Sequence, residues 1–193
     1  MIAKTCLLAF AGLPVLVSAA PQAVFTTHPY IHQMVCDEGR GTAFQINGNT
    51  ALSVDHVSRM TDCRINGIPA FVIENDRVGD FSVIRFRFNR PGGLRLSCEA
   101  FRHGETYSAI GYAHGERRQR VLNVVHWSPL PKVPFRGWQT LSSPVRFIPG
   151  MSGGPVFSMR GEVVGTVNAY SPIFPLSFSR SLSDTSLCAR AHV

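Results

Sequence analysis

The stretch Pro149-Gly150-Met151-Ser152-Gly153-Gly154-Pro155 lies between two runs that read as strands, Val145–Ile148 before it and Pro155–Met159 after it. A serine that attacks an acyl carbon needs its hydroxyl exposed on a tight turn, with backbone N–H groups aimed at the developing oxyanion. Gly150 can take backbone angles closed to other residues, so its N–H and that of Ser152 can point to one spot. Gly153 and Gly154 let neighbouring chain approach closely. Taken alone the turn reads equally well as a tight hairpin, so its weight comes from its surroundings.

Working outward, short β-type runs separated by turn residues fill the chain: Thr42–Ile46, Ala51–Val54, Ala70–Ile73, Phe81–Phe86, Tyr107–Tyr112, Arg120–Val125, Gly137–Leu141 and Glu162–Ala169 join the two already named. Several are rich in Val, Ile and Phe. Asn47-Gly48-Asn49 and Arg160-Gly161 read as hairpin turns, and Pro129, Pro131 and Pro134 mark a long loop. Many short strands at close spacing, without internal repeats or sustained helical periodicity, predict an all-β sandwich or barrel.

Two of these strands carry further chemistry at their ends. Ala51-Leu52-Ser53-Val54-Asp55-His56-Val57 reads as a strand ending in a histidine, and Gly79-Asp80-Phe81-Ser82-Val83-Ile84 puts a carboxylate at the head of another. An imidazole can take a serine proton and return it to a leaving amine, provided a third group fixes its tautomer. Asp80 is the candidate for that third group. A lone histidine at a strand end is more often structural, and a lone aspartate there is often only a turn residue.

The first twenty of the 193 residues have the layout of a secretory leader: Lys4, an apolar run from Cys6 through Val17, then Ser18, Ala19 and Ala20. Cleavage after Ala19 makes 1–19 a signal peptide and 20–193 one domain, secreted or periplasmic. The apolar run is too short for a membrane span, and no later stretch is apolar enough for one, so none is expected in the mature chain. Loss of Lys4 takes the formal charge from +7 to +6. Arg117, Arg118 and Arg120 hold part of that excess and read as a solvated loop, so no nucleic-acid partner is expected. Of five cysteines, four remain without Cys6, and four permit three disulfide connectivities. Cys36 and Cys63 bracket the His56 segment; pairing them staples two edges of one barrel and leaves Cys98 with Cys188 to pin the C-terminal tail.

Together the segments resemble the trypsin-like serine proteases, in the order His, Asp, Ser, and most closely the short-looped bacterial HtrA-type branch. The resemblance runs from about Gly41 to Tyr170. Gly41-Thr42-Ala43-Phe44 resembles the strand that opens that family's first barrel, Gly150-Met151-Ser152-Gly153-Gly154-Pro155 its Gly-x-Ser-Gly-Gly-Pro signature, and Glu162-Val163-Val164-Gly165-Thr166-Val167 the hairpin after the nucleophile. It implies two six-stranded antiparallel β-barrels with the site between them, and a serine endopeptidase of protein or peptide substrates that needs no cofactor. His56, Asp80 and Ser152 would form the triad, and the N–H groups of Gly150 and Ser152 the oxyanion hole.

By the same resemblance Asn168 binds the triad carboxylate and lines the cleft, Tyr170 narrows the primary specificity pocket, and Arg146 falls near its base. Small or medium apolar residues, and not Lys or Arg, are then expected before the scissile bond, with an acidic residue as the alternative if Arg146 faces inward. Three positions depart from the family. Met151 stands where digestive members keep an aspartate for an activating ion pair, Asp55 replaces a small apolar residue before the histidine, and residues 171–193 are too few for a peptide-binding domain. Asp55, next to His56 on a presumed strand, should face away and not replace Asp80. His103, His114 and His126 lack metal-ligand spacing, so no metal site is expected. A catalytically silent homologue kept as a binding module is the alternative reading.

Overall fold

The computed structural model describes residues 24–87, 91–126, 138–142, 146–170 and 176–191. The expected leader 1–19, the Pro129–Pro134 loop and the strand ends at Gly137 and Val145 lie outside them. Eight strands make the first sheet and the start of the second: β1 (Val24–Thr26), β2 (Ile31–Cys36), β3 (Gly39–Asn47), β4 (Thr50–Ser53), β5 (Arg64–Ile65), β6 (Ile68–Pro69), β7 (Phe71–Asp76) and β8 (Phe81–Arg85). Six follow: β9 (Thr106–Gly111), β10 (Gln119–His126), β11 (Trp138–Ser142), β12 (Pro155–Phe157), β13 (Val163–Tyr170) and β14 (Leu176–Ser181). Among the described residues helices are confined to α1 (Asp55–Ser58), α2 (Ser186–Ala191) and two single 3-10 turns.

The first sheet runs β6-β5-β2-β3-β4-β8-β7, antiparallel throughout. Only Ala70 separates β6 from β7, and its N–H donates to Cys63 O at 3.0 Å. The two therefore act as one strand that meets β5 with one end and β8 with the other, closing a ring of six. The second sheet runs β1-β10-β11-β14-β13-β12-β9, and β9 pairs back onto β10 along Arg120↔Gly111 to Val125↔Thr106. That closure is also six-stranded, with β1 an added strand on β10. Two six-stranded antiparallel barrels, the expected fold, result.

Closure explains why the strands read as continuous apolar runs. On β3, β4 and β8 the residues Ala43, Ala51 and Ile84 fill the first barrel with Met34, Val54 and Ile65. Their neighbours Phe44, Leu52 and Val83 point the opposite way, joining Phe81 of β8 in a second cluster with Phe157, Val163 and Leu182 from the other half of the chain. Strands buried on both faces lose the polar alternation of a half-exposed sheet. The second barrel holds Tyr107, Ala109, Leu122, Val124, Leu141, Val156 and Val167.

Disulfides join Cys36 to Cys63 and Cys98 to Cys188, the connectivity expected from the bracketing argument. The first ties the end of β2 to the segment after α1; the second tethers α2. Two expectations fail. Residues 146–148 are not strand: the Phe147 N–H donates to Ser177 Oγ at 2.9 Å and its ring sinks into the second barrel, so the apolar run fills a core from a loop. His56 is not on a strand either, because β4 stops at Ser53 and Asp55–Ser58 turn into α1.

Candidate active site

Asp80 sits in the corner between β7 and β8 with φ 53°, a left-handed conformation that aspartate tolerates better than most residues. This corner turns its carboxylate back toward α1. His56 meets it twice: the backbone N–H donates to Oδ1 at 2.9 Å, and Nδ1 lies 2.8 Å from Oδ2 and 3.0 Å from Oδ1. Asn168 on β13 closes the other side, its Nδ2 donating to Asp80 Oδ2 at 3.0 Å and to Asp80 O at 2.8 Å. Asn168 Oδ1 in turn accepts from Thr166 Oγ1 and the Arg180 N–H, so the amide is held at both ends. Burial alone would raise the Asp80 pKa. The hydrogen bond from the His56 ring, the charge of His56, its backbone N–H and the Asn168 amide outweigh that, and hold it below the usual carboxylate value.

Nδ1 being engaged, Nε2 of His56 lies on the far side of a half-exposed ring. Ser152 shares the same cleft of about 590 Å³ with His56, Asp80 and Gly150. Its hydroxyl donates to Asn168 O at 3.3 Å, a long bond. Asp55, though adjacent to His56, points elsewhere: it accepts from Asn75 Nδ2 at 2.9 Å and lies 3.8 Å from Arg59. The expectation about Asp55 is met on a helical turn instead of a strand.

The turn around Ser152 is shaped by two glycines at positive φ, Gly150 at 94° and Gly153 at 87°. A side chain at Gly150 would strike Tyr112 O, and one at Gly153 would strike Thr42 O and Ser53 Oγ. Met151 N–H donates to Ile148 O, Gly153 N–H to Val167 O and Gly154 N–H to Met151 O. Among the described residues the N–H groups of Gly150 and Ser152 donate to no backbone carbonyl. Two free donors that flank Met151 on a tight turn can hold an oxyanion. Met151 itself is fully buried in the second barrel, so an apolar anchor fixes the turn where an ion pair would be required for an aspartate.

Thr42 was not singled out from sequence, yet it fastens this turn to the first barrel. Its N–H donates to Ser152 O at 2.8 Å, its hydroxyl donates to Gly150 O at 2.8 Å, and that hydroxyl accepts from the Tyr112 N–H at 3.0 Å. A β-branched polar residue in a strand is an ordinary sight, and no pattern along the chain marks this one. Tyr170 lines the cleft and is 41% exposed. Arg146 is half-buried one residue before the lining begins at Phe147, and is not among the lining residues. His103 and His114 are exposed and His126 is buried against Phe101; among the described residues no group of His, Cys, Asp or Glu is placed to hold a metal ion.

Two closed barrels meeting at a cleft with this carboxylate, imidazole and hydroxyl are the architecture of a serine endopeptidase. The chain belongs to the trypsin-like peptidase family, whose domain model matches residues 41–165. Among solved structures it is similar to the active form of the Rv3671c protease from M. tuberculosis, with 18% identity, a TM-score of 0.65, and coverage of 81% of this chain and 77% of that one. It is similar also to a serine endoprotease from Yersinia pestis (16% identity, TM-score 0.65, 85% of this chain and 61% of that one) and to the HtrA-type protease AlgW with tripeptide (18%, 0.67, 84% and 60%). The chain thus spans about three fifths of the length of those two. No match was found among curated protein sequences.

Proposed function

We propose that the protein is an exported serine endopeptidase that cleaves peptide bonds through an acyl-enzyme, with His56, Asp80 and Ser152 as its triad. The observation that carries this reading is the doubly bonded His56–Asp80 pair facing a cleft that also holds Ser152 beside two free N–H groups. Ser152 Oγ attacks the carbonyl carbon while His56 Nε2 takes its proton. The oxyanion is held by the Gly150 and Ser152 N–H groups, and Asp80 stabilises the imidazolium. His56 then returns the proton to the leaving amine, and water, deprotonated by the same ring, releases the acyl group. Two disulfides support the exported reading, because such bonds persist in oxidising compartments.

Phe147, Ile148, Val167 and Ala169 give the cleft an apolar floor, and Tyr170 stands at its side. Small or medium apolar residues before the cut suit that lining. Lys or Arg do not, since the lining carboxylates Asp55 and Asp80 are already engaged. Arg146, outside the lining, gives no reason to expect an acidic residue immediately before the bond.

A fluorophosphonate probe tests the reading, because it reacts with an activated serine and spares an ordinary one. Labelling of the unmodified protein at Ser152, lost on heating past the unfolding transition, is the expected result. Absence of labelling, with the fold intact, would instead make the chain a silent homologue.

Thr42 supplies a second test. Thr42→Val keeps the branched shape and leaves the half-buried Gly150 C=O and Tyr112 N–H without their partner, a loss of about 1–2 kcal/mol. A drop in kcat of about tenfold with little change in KM is expected if part of that loss falls on the oxyanion-binding geometry. Thr42→Ser should restore most of it. Equal losses in both variants, by steady-state kinetics, would mean that the hydroxyl is not the operative group.

A further inference from the structure

The charged residues lining the cleft are Arg40, Arg59 and Arg77 against Asp55 and Asp80. Asp80 is committed to His56 and Asn168, and Asp55 is buried between Asn75 and Arg59. Arg40 and Arg77 remain exposed, and among the described residues neither meets a carboxylate. They stand on different sides of the serine. Arg77 is in the β7–β8 corner with Asp80, the residue that Asn168 of β13 binds, and it lines the cleft together with Tyr170. Arg40 is on β3, two residues before Thr42, and its guanidinium reaches the Gly115 turn beside Gly150.

The backbone gives an extended peptide a track between them. β13 pairs with β12 only as far as Pro155↔Thr166, while its other edge stays on β14 to Tyr170↔Ser177. Residues Asn168–Tyr170 therefore leave one edge open to the cleft, where a peptide can add as a strand. A chain laid there passes Arg77 before the scissile bond and continues across Ser152 toward Arg40 after it. Beyond Arg40 the loop from Gly115 carries exposed Arg117 and Arg118, and its one carboxylate, Glu116, is taken by Arg120. Arg117 lines a separate groove with His28, His32 and Gln119, so the basic cluster adjoins the leaving-group side of the cleft without lining it.

Resting on the endopeptidase reading, we propose that the natural substrates are acidic protein segments: an apolar residue before the cut, with Asp or Glu on both flanks and most densely after it. Guanidinium groups bind carboxylates through paired N–H donors, and a cleft of one sign draws in the opposite charge. Arg40 and Arg77 are then specificity-determining residues for the two sides. The basic surface is a substrate track.

Quenched peptides with Val before the cut, bearing three Glu or three Gln on one side or the other, test this. Each exposed ion pair supports a preference of about two- to fivefold. The Glu peptides should therefore exceed the Gln peptides in kcat/KM, most when the Glu lie after the cut, and the gap should shrink in ~0.5 M salt. Arg40→Glu should turn the preference after the cut toward Lys, and Arg77→Glu the one before it. Fluorophosphonate labelling with equal rates on Glu and Gln peptides overturns this inference and leaves the endopeptidase standing. No labelling and no cleavage of any peptide overturns both.

Discussion

Ser152→Ala is expected to lower kcat by about 10⁴- to 10⁶-fold while the protein stays folded, the range seen when a triad member is removed from other serine proteases. The two halves of this statement have separate causes. Without Oγ there is no nucleophile to form the acyl-enzyme, and what remains is attack by water on a carbonyl held near two N–H groups. The fold survives because Oγ contributes only the 3.3 Å bond to Asn168 O, while the Ser152 backbone carbonyl, which does fasten the turn, keeps its bond from Thr42 N–H. Loss of one long hydrogen bond from a half-buried hydroxyl should change stability by about 0.5 kcal/mol or less. Hydrolysis retained at more than about one per cent, with the melting curve unchanged, would reject Ser152 as the nucleophile. The same variant should lose the fluorophosphonate label, which separates a missing nucleophile from a blocked cleft.

How much of this was legible in the chain follows from what each residue must do. Gly150, Gly153 and the apolar strand β13 were readable because positive φ and burial on both faces demand particular residue types. His56 and Asp80 were readable as a pair of strand-end polar groups, but the helical turn that carries His56 was not, since four residues are too few to show a helical period. β2 and β14 escaped notice for a different reason. β14, Leu176–Ser181, buries Ser177, Ser179, Arg180 and Ser181, and its hydroxyls find partners that include distant ones, the Phe147 N–H on Ser177 Oγ and Thr166 O beneath Ser179. A strand whose inward residues are hydroxyls leaves no apolar trace. β2 interrupts its own apolar run with buried His32, which lies 3.3 Å from Gln45 and 2.9 Å from Asn66. Arg146–Ile148 misled in the opposite sense, because residues that fill a core from a loop are as apolar as a strand. Thr42 and the cleft arginines became visible only when distant parts of the chain came together.

Asp80→Asn is the second large effect, and its cause is the direction of protons. Three N–H groups converge on the Asp80 carboxylate: His56 N, His56 Nδ1 and Asn168 Nδ2. A carboxylate accepts from all of them, whereas an amide has one accepting oxygen and one donating NH₂, so at least one donor faces another. If the NH₂ faces the ring, Nδ1 must become an acceptor and the ring proton moves to Nε2, where it prevents His56 from taking the Ser152 proton. A loss in kcat of about 10⁴-fold is therefore expected, as for the corresponding change in another protease of this mechanism. Stability should respond too, and with a definite pH dependence. Despite its burial, the folded Asp80 carboxyl titrates below the ordinary carboxylate value because of the His56 and Asn168 donors, so its contribution is fully present above that ordinary value and is lost as pH falls through the lower, folded one. The Asn variant has no such group. Thermal unfolding followed from pH 7 down to pH 2 should thus show the unmodified protein starting higher and falling more steeply in acid, the two curves converging at the bottom of the range. Parallel curves, or a variant that keeps more than a few per cent of kcat, would mean that Asp80 neither orients His56 nor carries its charge.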